Sequence, residues 1–213
     1  MSEPSHRVLL VLIAGIIAVF IMQVLSPDGL SSFEMIPAEV QNAGQAIMDG
    51  EGEGGDWFSL LTLLTAALLH ADVGHILSNL LFFWMFGGLV GEILGWRWML
   101  TIFVATAIGG SIGDLILRNG SSIPSLGASG AVMGFEGAYL GLAVRWRLPD
   151  PYIWPIAHPI PPIRLVILAS FGFFLDISGV VSQAAGVAYG AHLGGFLVGL
   201  FLTSFIARRP QGI

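Results

Sequence analysis

The apolar residues of this chain form long stretches that polar residues rarely interrupt, a pattern typical of membrane-spanning helices. A helix that crosses a bilayer needs roughly 20 mainly apolar residues, because the hydrocarbon layer is about 30 Å thick. Six stretches approach this length, and we predict a transmembrane helix in each: 8–25, 75–94, 98–117, 129–144, 163–181 and 187–206.

A shorter apolar stretch, 57–69, lies in the long loop 26–74 between the first two predicted helices. It is too short to span a bilayer, so we expect an interfacial or re-entrant helix there. The glycine-rich segment 49–56 of the same loop is expected to be mobile. The first apolar stretch, 8–25, is longer than the apolar part of a signal peptide, and we expect it to be retained.

Composition supports the membrane interpretation and excludes several kinds of function. Apolar residues make up 55% of the chain and charged residues 10%, whereas soluble domains carry about 25% charged residues. The chain contains 29 glycines, which favour close helix packing. The absence of cysteine excludes disulfides, thiol nucleophiles and zinc–thiolate sites. The net charge of −6 and the lack of a basic run exclude nucleic-acid binding.

The arginines indicate how the helices are oriented. All eight basic residues are arginine, and seven of them fall on one side of the predicted helices: Arg7, Arg97, Arg145, Arg147, Arg164, Arg208 and Arg209. Arg118 falls on the other side. Because basic residues collect on the cytoplasmic side, both termini are predicted to be cytoplasmic and loop 26–74 to lie outside. We expect a multi-pass protein of the cell (inner) membrane.

Polar residues within the predicted helices mark candidate functional positions, because burying them in lipid is unfavourable. The candidates are His75, Asn79, Glu92, Asp114, Ser129, Glu136, Asp176 and His192. The second, fourth and sixth helices all begin at the outer side in this topology. His75, Asn79, Ser129 and His192 lie near these starts, so four polar side chains from three helices share one depth close to the outer surface.

A serine and a histidine at one depth suggest a nucleophile and its general base, because imidazole can accept the hydroxyl proton of Ser129. The small neighbours in Gly127-Ala128-Ser129-Gly130 leave room for a substrate backbone, and a helix N-terminus supplies free N–H donors. His75 and Asn79 are four residues apart on one helix face and could donate hydrogen bonds to the same oxyanion.

Small residues at intervals of four offer a way to bring Ser129 and His192 together. The fourth helix carries Gly130, Gly134 and Ala138, and the sixth carries Gly186, Gly190 and Gly194, with Gly195 and Gly199 on an adjoining row. Rows of this kind allow close approach of two helix backbones. The alternative is that any one of these glycines only packs helices and has no part in bringing Ser129 and His192 together.

Three short segments together resemble the rhomboid intramembrane serine proteases. They are His75-Ile76-Leu77-Ser78-Asn79, Gly127-Ala128-Ser129-Gly130 and Ala191-His192-Leu193-Gly194-Gly195. The segments His70-Ala71-Asp72 and Gly87-Gly88-Leu89-Val90-Gly91-Glu92 are also similar to that family. The resemblance covers residues 57–205 and includes both the order and the spacing of the segments.

The resemblance implies an all-α membrane protein, a six-transmembrane-helix bundle with a long membrane-associated first loop. The chain would be a single domain, 1–213, with its core at 57–205, its first helix at 8–25 and its external loop at 26–74. Ser129 would be the nucleophile and His192 the base of a Ser–His dyad. His75, Asn79 and the backbone N–H of Ser129 would stabilise the oxyanion. Substrates would be transmembrane segments of other proteins, cut at small residues near the outer face, with no metal or organic cofactor.

One departure from the family and four carboxylates leave alternatives open. The family usually has an aromatic residue where this chain has Met133, so we expect His192 to be oriented less firmly. We assign Glu92, Asp114, Glu136 and Asp176 to packing rather than to catalysis. The alternatives are a catalytically silent rhomboid-like protein that binds transmembrane helices, and a proton-coupled transporter that uses these carboxylates as a relay.

Overall fold

The computed structural model describes residues 3–156, 158–184 and 186–209, and these residues are folded into helices joined by loops. In chain order the α-helices are α1 (Glu3–Leu25), α2 (Pro37–Met48), α3 (Gly54–Thr65), α4 (Val73–Phe82), α5 (Gly88–Leu94), α6 (Trp96–Leu117), α7 (Ser129–Arg145), α8 (Pro162–Ser182) and α9 (Tyr189–Phe201). Short 3-10 turns occur at Ser31–Phe33 and Ala66–Leu68, and π-helical segments occur at Phe83–Gly87 and Leu202–Ile206.

The prediction of an all-α, six-helix membrane bundle is confirmed. Within the described part of the chain, five helical stretches are long and apolar enough to cross a membrane: Glu3–Leu25, Val73–Leu94, Trp96–Leu117, Pro162–Ser182 and Tyr189–Ile206. The sixth helix of the bundle is α7, which has 17 residues. The second span consists of α4 and α5 joined through the π-helical segment, a break in regular helix that the apolar pattern does not reveal.

Helix α7 forms the centre of the bundle, because every residue from Gly130 to Tyr139 is buried. Its contact with α9 depends on glycine: a Cβ on Gly195 would overlap the carbonyl oxygen of Gly130, and one on Gly199 would overlap that of Gly134. The predicted row of Gly190 and Gly194 instead faces α6, at Gly113 and Gly109. Two adjoining glycine rows thus allow α9 to pack closely against two helices at once.

The external loop contains more structure than the sequence pattern predicts. Helix α2 (Pro37–Met48) was not expected, and the glycine-rich segment 49–56, expected to be mobile, includes the first turn of α3. Glu53 and Asp56 form a capping box at the start of α3, each side chain accepting the backbone N–H of the other. This capping explains why a glycine-rich segment can begin a helix. The interfacial helix predicted at 57–69 corresponds to α3 and the 3-10 turn that follows it.

The external loop packs on the loop that carries Ser129. Met35 and Ser125 exchange two backbone hydrogen bonds of 3.1 and 2.7 Å, and the backbone N–H of Ala38 donates to the carbonyl of Ser121 at 3.0 Å. Gly127 donates its N–H to the carbonyl of Ala66 at 2.9 Å. The loop before α7 is therefore fixed by the external loop on its outer side.

Helix α8 lies at the edge of the bundle. Phe173 stacks on Phe196 of α9 with the ring centroids 4.5 Å apart, which fixes one face of the helix. The opposite side presents Ile163, Ile167, Phe174 and Val181, each at least 60% exposed. Side chains of this kind are expected to face lipid in a membrane-spanning helix.

Candidate active site

The candidate site lies at the N-terminal end of α7, where Ser129 is the first helical residue. The approach to the helix requires glycine at position 127, because φ there is +126° and a Cβ would meet the ring of His75 at 2.6 Å. The first N–H groups of an α-helix have no partner within the helix. The backbone N–H of Ser129 is therefore available beside the hydroxyl group of the same residue.

A cavity of about 410 Å³ brings residues from four helices together. Its polar lining consists of Ser78 and Asn79 from α4, Ser129 and Glu136 from α7, Asp176 from α8 and His192 from α9. The apolar lining includes Met133 and side chains of α4 and α8, such as Phe82 and Phe171. Three of the four residues predicted from the sequence, Asn79, Ser129 and His192, thus face one cavity.

His75, the fourth predicted residue, lies next to this cavity beside Gly127. A Cβ built on Gly127 would lie 2.7 Å from Nε2 of His75 and 3.7 Å from Oγ of Ser129. Asp72 caps the start of α4 by accepting the backbone N–H of His75 at 2.8 Å. This cap fixes the first turn of α4 and thereby the backbone position of His75.

Asn79 carries an unpartnered donor at the site. The residue is 6% exposed, and its Nδ2 is buried without a hydrogen-bond partner among the described residues. A buried polar donor without a partner is unfavourable by about 1–3 kcal/mol, so such a group commonly has a functional explanation. The amide faces the cavity that Ser129 and His192 also line.

The structure shows a contact that the sequence analysis missed. The Nδ1 of His192 lies 2.9 Å from the carboxylate Oδ1 of Asp176, and the two side chains are 19% and 11% exposed. The sequence analysis assigned Asp176 to packing, whereas this carboxylate is bonded to the predicted base. Depth could have revealed it: Asp176 lies near the outer end of α8, about 9 Å along the helix from Ser182, and so at the level of His192.

The other nitrogen of His192 is free to act on the serine. No hydrogen bond between Ser129 Oγ and His192 is present among the described residues. Hydrogen bonds between a nucleophile and its base are often formed only when substrate is bound. The two side chains line the same cavity, which is where such a contact would form.

His70 supports the site from outside the cavity. Its Nε2 accepts the backbone N–H of Ala128 at 3.4 Å, and its ring packs edge-on against His75 with the centroids 5.1 Å apart. The residue is 2% exposed. Burial, together with the nearby His75, lowers the pKa of His70 to about 4. A neutral imidazole is therefore present at neutral pH to accept the N–H of the residue before Ser129.

The remaining carboxylates differ in their surroundings. Asp114 is fully buried and accepts Arg118 Nε at 3.0 Å, so it neutralises the arginine predicted on the outer side. Glu136 is 4% exposed and lines the cavity below Ser129. Glu92 is exposed and lines a separate cavity with His6 and Trp84. Among the described residues these three carboxylates thus lie in three different environments.

The fold and the site define a multi-pass α-helical membrane protein with a serine, a histidine and an unpaired amide in a cavity of its helix bundle. The family model of the Rhomboid domain matches residues 57–209. The chain therefore belongs to the rhomboid family.

Relatives with this domain occur in bacteria and in mitochondria. The chain is 31% identical to Rhomboid protease GluP of Bacillus subtilis, over 74% of this chain and 28% of that protein. It is 30% identical to Rhomboid protease GlpG of Pectobacterium atrosepticum, over 87% of this chain and 58% of that protein. It is also 30% identical to RHOMBOID-like protein 12, mitochondrial, of Arabidopsis thaliana, over 65% of this chain and 44% of that protein. The chain thus matches less than two thirds of the length of these relatives.

Proposed function

We propose that this protein is an intramembrane serine endopeptidase that cleaves transmembrane segments of other membrane proteins near the outer membrane face. The observation that carries the proposal is the shared cavity of Ser129, His192 and the unpaired amide of Asn79. Two relatives are named rhomboid proteases, which supports a peptidase rather than another serine hydrolase. We further propose that the chain acts as one domain.

In the proposed reaction, Ser129 is the nucleophile and His192 the general base and acid. The serine Oγ bonds to the carbonyl carbon of the scissile peptide while its proton passes to Nε2 of His192. The C–N bond then breaks, and the same proton goes to the leaving amine. Water then attacks the carbonyl carbon of the acyl-enzyme and gives one proton to His192. The bond to Ser129 Oγ breaks, His192 returns this proton to Oγ, and the carboxylic acid departs.

The oxyanion of each tetrahedral intermediate needs donors, and three are proposed. They are the Asn79 amide, the His75 ring and the backbone N–H of Ser129. One donor of this kind stabilises a transition state by about 2.7–4 kcal/mol. The buried, unpartnered Nδ2 of Asn79 is preorganised for this task, because it gives up no hydrogen bond when the oxyanion forms.

The location of the cavity supports a membrane-embedded substrate. Residues of α4 and α8 line it, and the exposed side of α8 is strongly apolar. A helix in lipid resists unwinding because its backbone groups would lose their partners, so a segment with small residues is the easier substrate. The site is proposed to open to the outer side, with both termini in the cytoplasm and the protein in a bacterial inner membrane.

Active-site labelling tests the proposal. Detergent-solubilised protein is treated with a fluorophosphonate probe for activated serines, and the wild type is compared with Ser129→Ala and His192→Ala. We expect the wild type to be labelled and both variants to lose at least 99% of the labelling. Each variant removes a reacting group that contributes about 10²-fold or more to the reaction rate. Circular dichroism checks that all three proteins are folded.

A model substrate separates the peptidase from its main alternative. A quenched peptide with one apolar span and small residues near its outer end should be cleaved by the wild type and not by Ser129→Ala. A catalytically silent protein that binds transmembrane helices would bind this peptide and leave it intact. A folded wild type that is neither labelled by the probe nor able to cleave the peptide would contradict the proposed function.

A further inference from the structure

The environment of His192 Nδ1 points to a role for Asp176 that a Ser–His dyad does not include. Asp176 comes from α8, and His192 lies in the first turn of α9. The distance of 2.9 Å between Nδ1 and Oδ1 is that of a good hydrogen bond. Both side chains line the cavity that contains Ser129.

We propose that Asp176 is a positioning residue that acts on the reaction through His192. This inference rests on the proposed function, because it assigns a third member to the same site. Asp176 accepts the Nδ1–H of His192, which leaves the lone pair of Nε2 free to take the proton of Ser129. The carboxylate also stabilises the imidazolium that forms.

The packing around the pair gives Nδ1 of His192 no other hydrogen-bond partner among the described residues. His192 is partly exposed to the cavity, and the residue one turn after Ser129 is the flexible Met133, not a rigid ring. A thioether gives the imidazole no hydrogen bond that would select one tautomer. Asp176 supplies that bond, and it also tethers the peripheral α8 to α9 beside the nucleophile.

In the described conformation, the other carboxylates near the site do not accept the Nδ1–H of His192. Glu136 lines the cavity but has no hydrogen bond to His192 among the described residues. Asp114 is buried on α6 and is bound to Arg118. Asp114 therefore offers a matched control, because it is a buried carboxylate of the same bundle whose side chain is bonded to Arg118 and not to His192.

The test compares kcat and KM of the full-length wild type, Asp176→Asn, Asp176→Glu and Asp114→Asn on the quenched transmembrane peptide. Asn can still accept a hydrogen bond but has no charge. Since a positioned base contributes about 10²- to 10⁴-fold, we expect Asp176→Asn to lower kcat about 10- to 100-fold with KM within about twofold. Asp176→Glu should recover part of this loss. Asp114→Asn should lower Tm and keep kcat.

Two results would overturn the inference and leave the proposed function standing. The first is an active wild type with Asp176→Asn within about threefold of its kcat. The second is an equal fall in kcat for Asp176→Asn and Asp114→Asn, which would indicate a purely structural role.

A spectroscopic readout tests the contact even without turnover. The protein is labelled with ¹⁵N-histidine, and the NMR signal of His192 is identified by its loss in His192→Gln. This signal should report the Nδ1–H tautomer in the wild type and a mixture of tautomers in Asp176→Ala. An unchanged tautomer in Asp176→Ala would overturn the inference. A folded wild type with this tautomer but no labelling or cleavage would instead contradict the proposed function.

Discussion

His70 links the protonation state of a single buried side chain to the stability of the site. Burial and His75 lower the pKa of His70 from 6.5 to about 4. Between these values the unfolded chain binds more protons than the folded one, so folding stability rises with pH across this range. The contribution is fully present above pH 6.5, is lost as pH falls toward 4, and amounts to about 3 kcal/mol.

We therefore predict that His70→Gln flattens the dependence of Tm on pH between about 4 and 6.5. Tm is measured by thermal unfolding in detergent at several pH values. The control is His158→Gln, which changes an exposed histidine and should leave the slope of the wild type intact. Equal slopes for wild type and His70→Gln would contradict the assignment of this titration to His70.

At the residue scale, the sequence reveals side chains whose position follows from a helix end, and it misses contacts across helices. His75 and Asn79 share a helix face by spacing alone, and Ser129 and His192 share a depth by topology. The Asp176–His192 bond depends on how α8 packs beside α9, which no periodicity reports. The same holds for His70, whose partner Ala128 is 58 residues away in the chain.

The glycine rows decide how the helices pack. Gly199 of α9 lies against the carbonyl of Gly134 in α7, and any Cβ there would overlap backbone atoms. The sequence predicts these rows because small residues recur every four positions. It does not reveal which row meets which helix, since Gly190 and Gly194 turn toward α6. Helix α2 was missed for another reason: with 12 residues of mixed polarity it is too short to be recognised as a membrane span.

We predict that Gly199→Ala lowers the free energy of unfolding by about 1–3 kcal/mol, because the backbones of α7 and α9 must separate to admit a methyl group. The control is Gly15→Ala on α1, where a Cβ meets no atom within 4 Å. That variant should be neutral or slightly stabilising, since alanine is the better helix former by about 1 kcal/mol. Thermal and denaturant unfolding in detergent measure both. Equal effects of the two substitutions would show that the Gly134–Gly199 contact is not required.

At the scale of the whole molecule, the distribution of the arginines predicts one orientation, and the position of the site is compatible with it. The N-terminal ends of α4, α7 and α9 lie together, and they carry the predicted site residues. The one arginine on that side of the bundle, Arg118, is bonded to the buried Asp114. Basic residues usually collect on the cytoplasmic side of a membrane protein. Because Arg118 is paired with a carboxylate, its position on the predicted outer side departs less from this rule than an unpaired arginine would. The number of spans and the shared level of the site could thus be predicted, whereas the packing of the external loop could not.

The absence of cysteine from the sequence makes this orientation directly measurable. Ser122→Cys lies in the exposed loop between α6 and α7, and Asp150→Cys lies in the exposed loop between α7 and α8. In intact bacterial spheroplasts, a membrane-impermeant maleimide should label Ser122→Cys, because that loop is predicted to be outside. Asp150→Cys should be labelled only after permeabilisation, because Arg145, Arg147 and Arg164 predict that its side is cytoplasmic. The reverse pattern would place the cavity on the cytoplasmic side, and the cleavage sites proposed here would then have to lie at the inner ends of substrate helices.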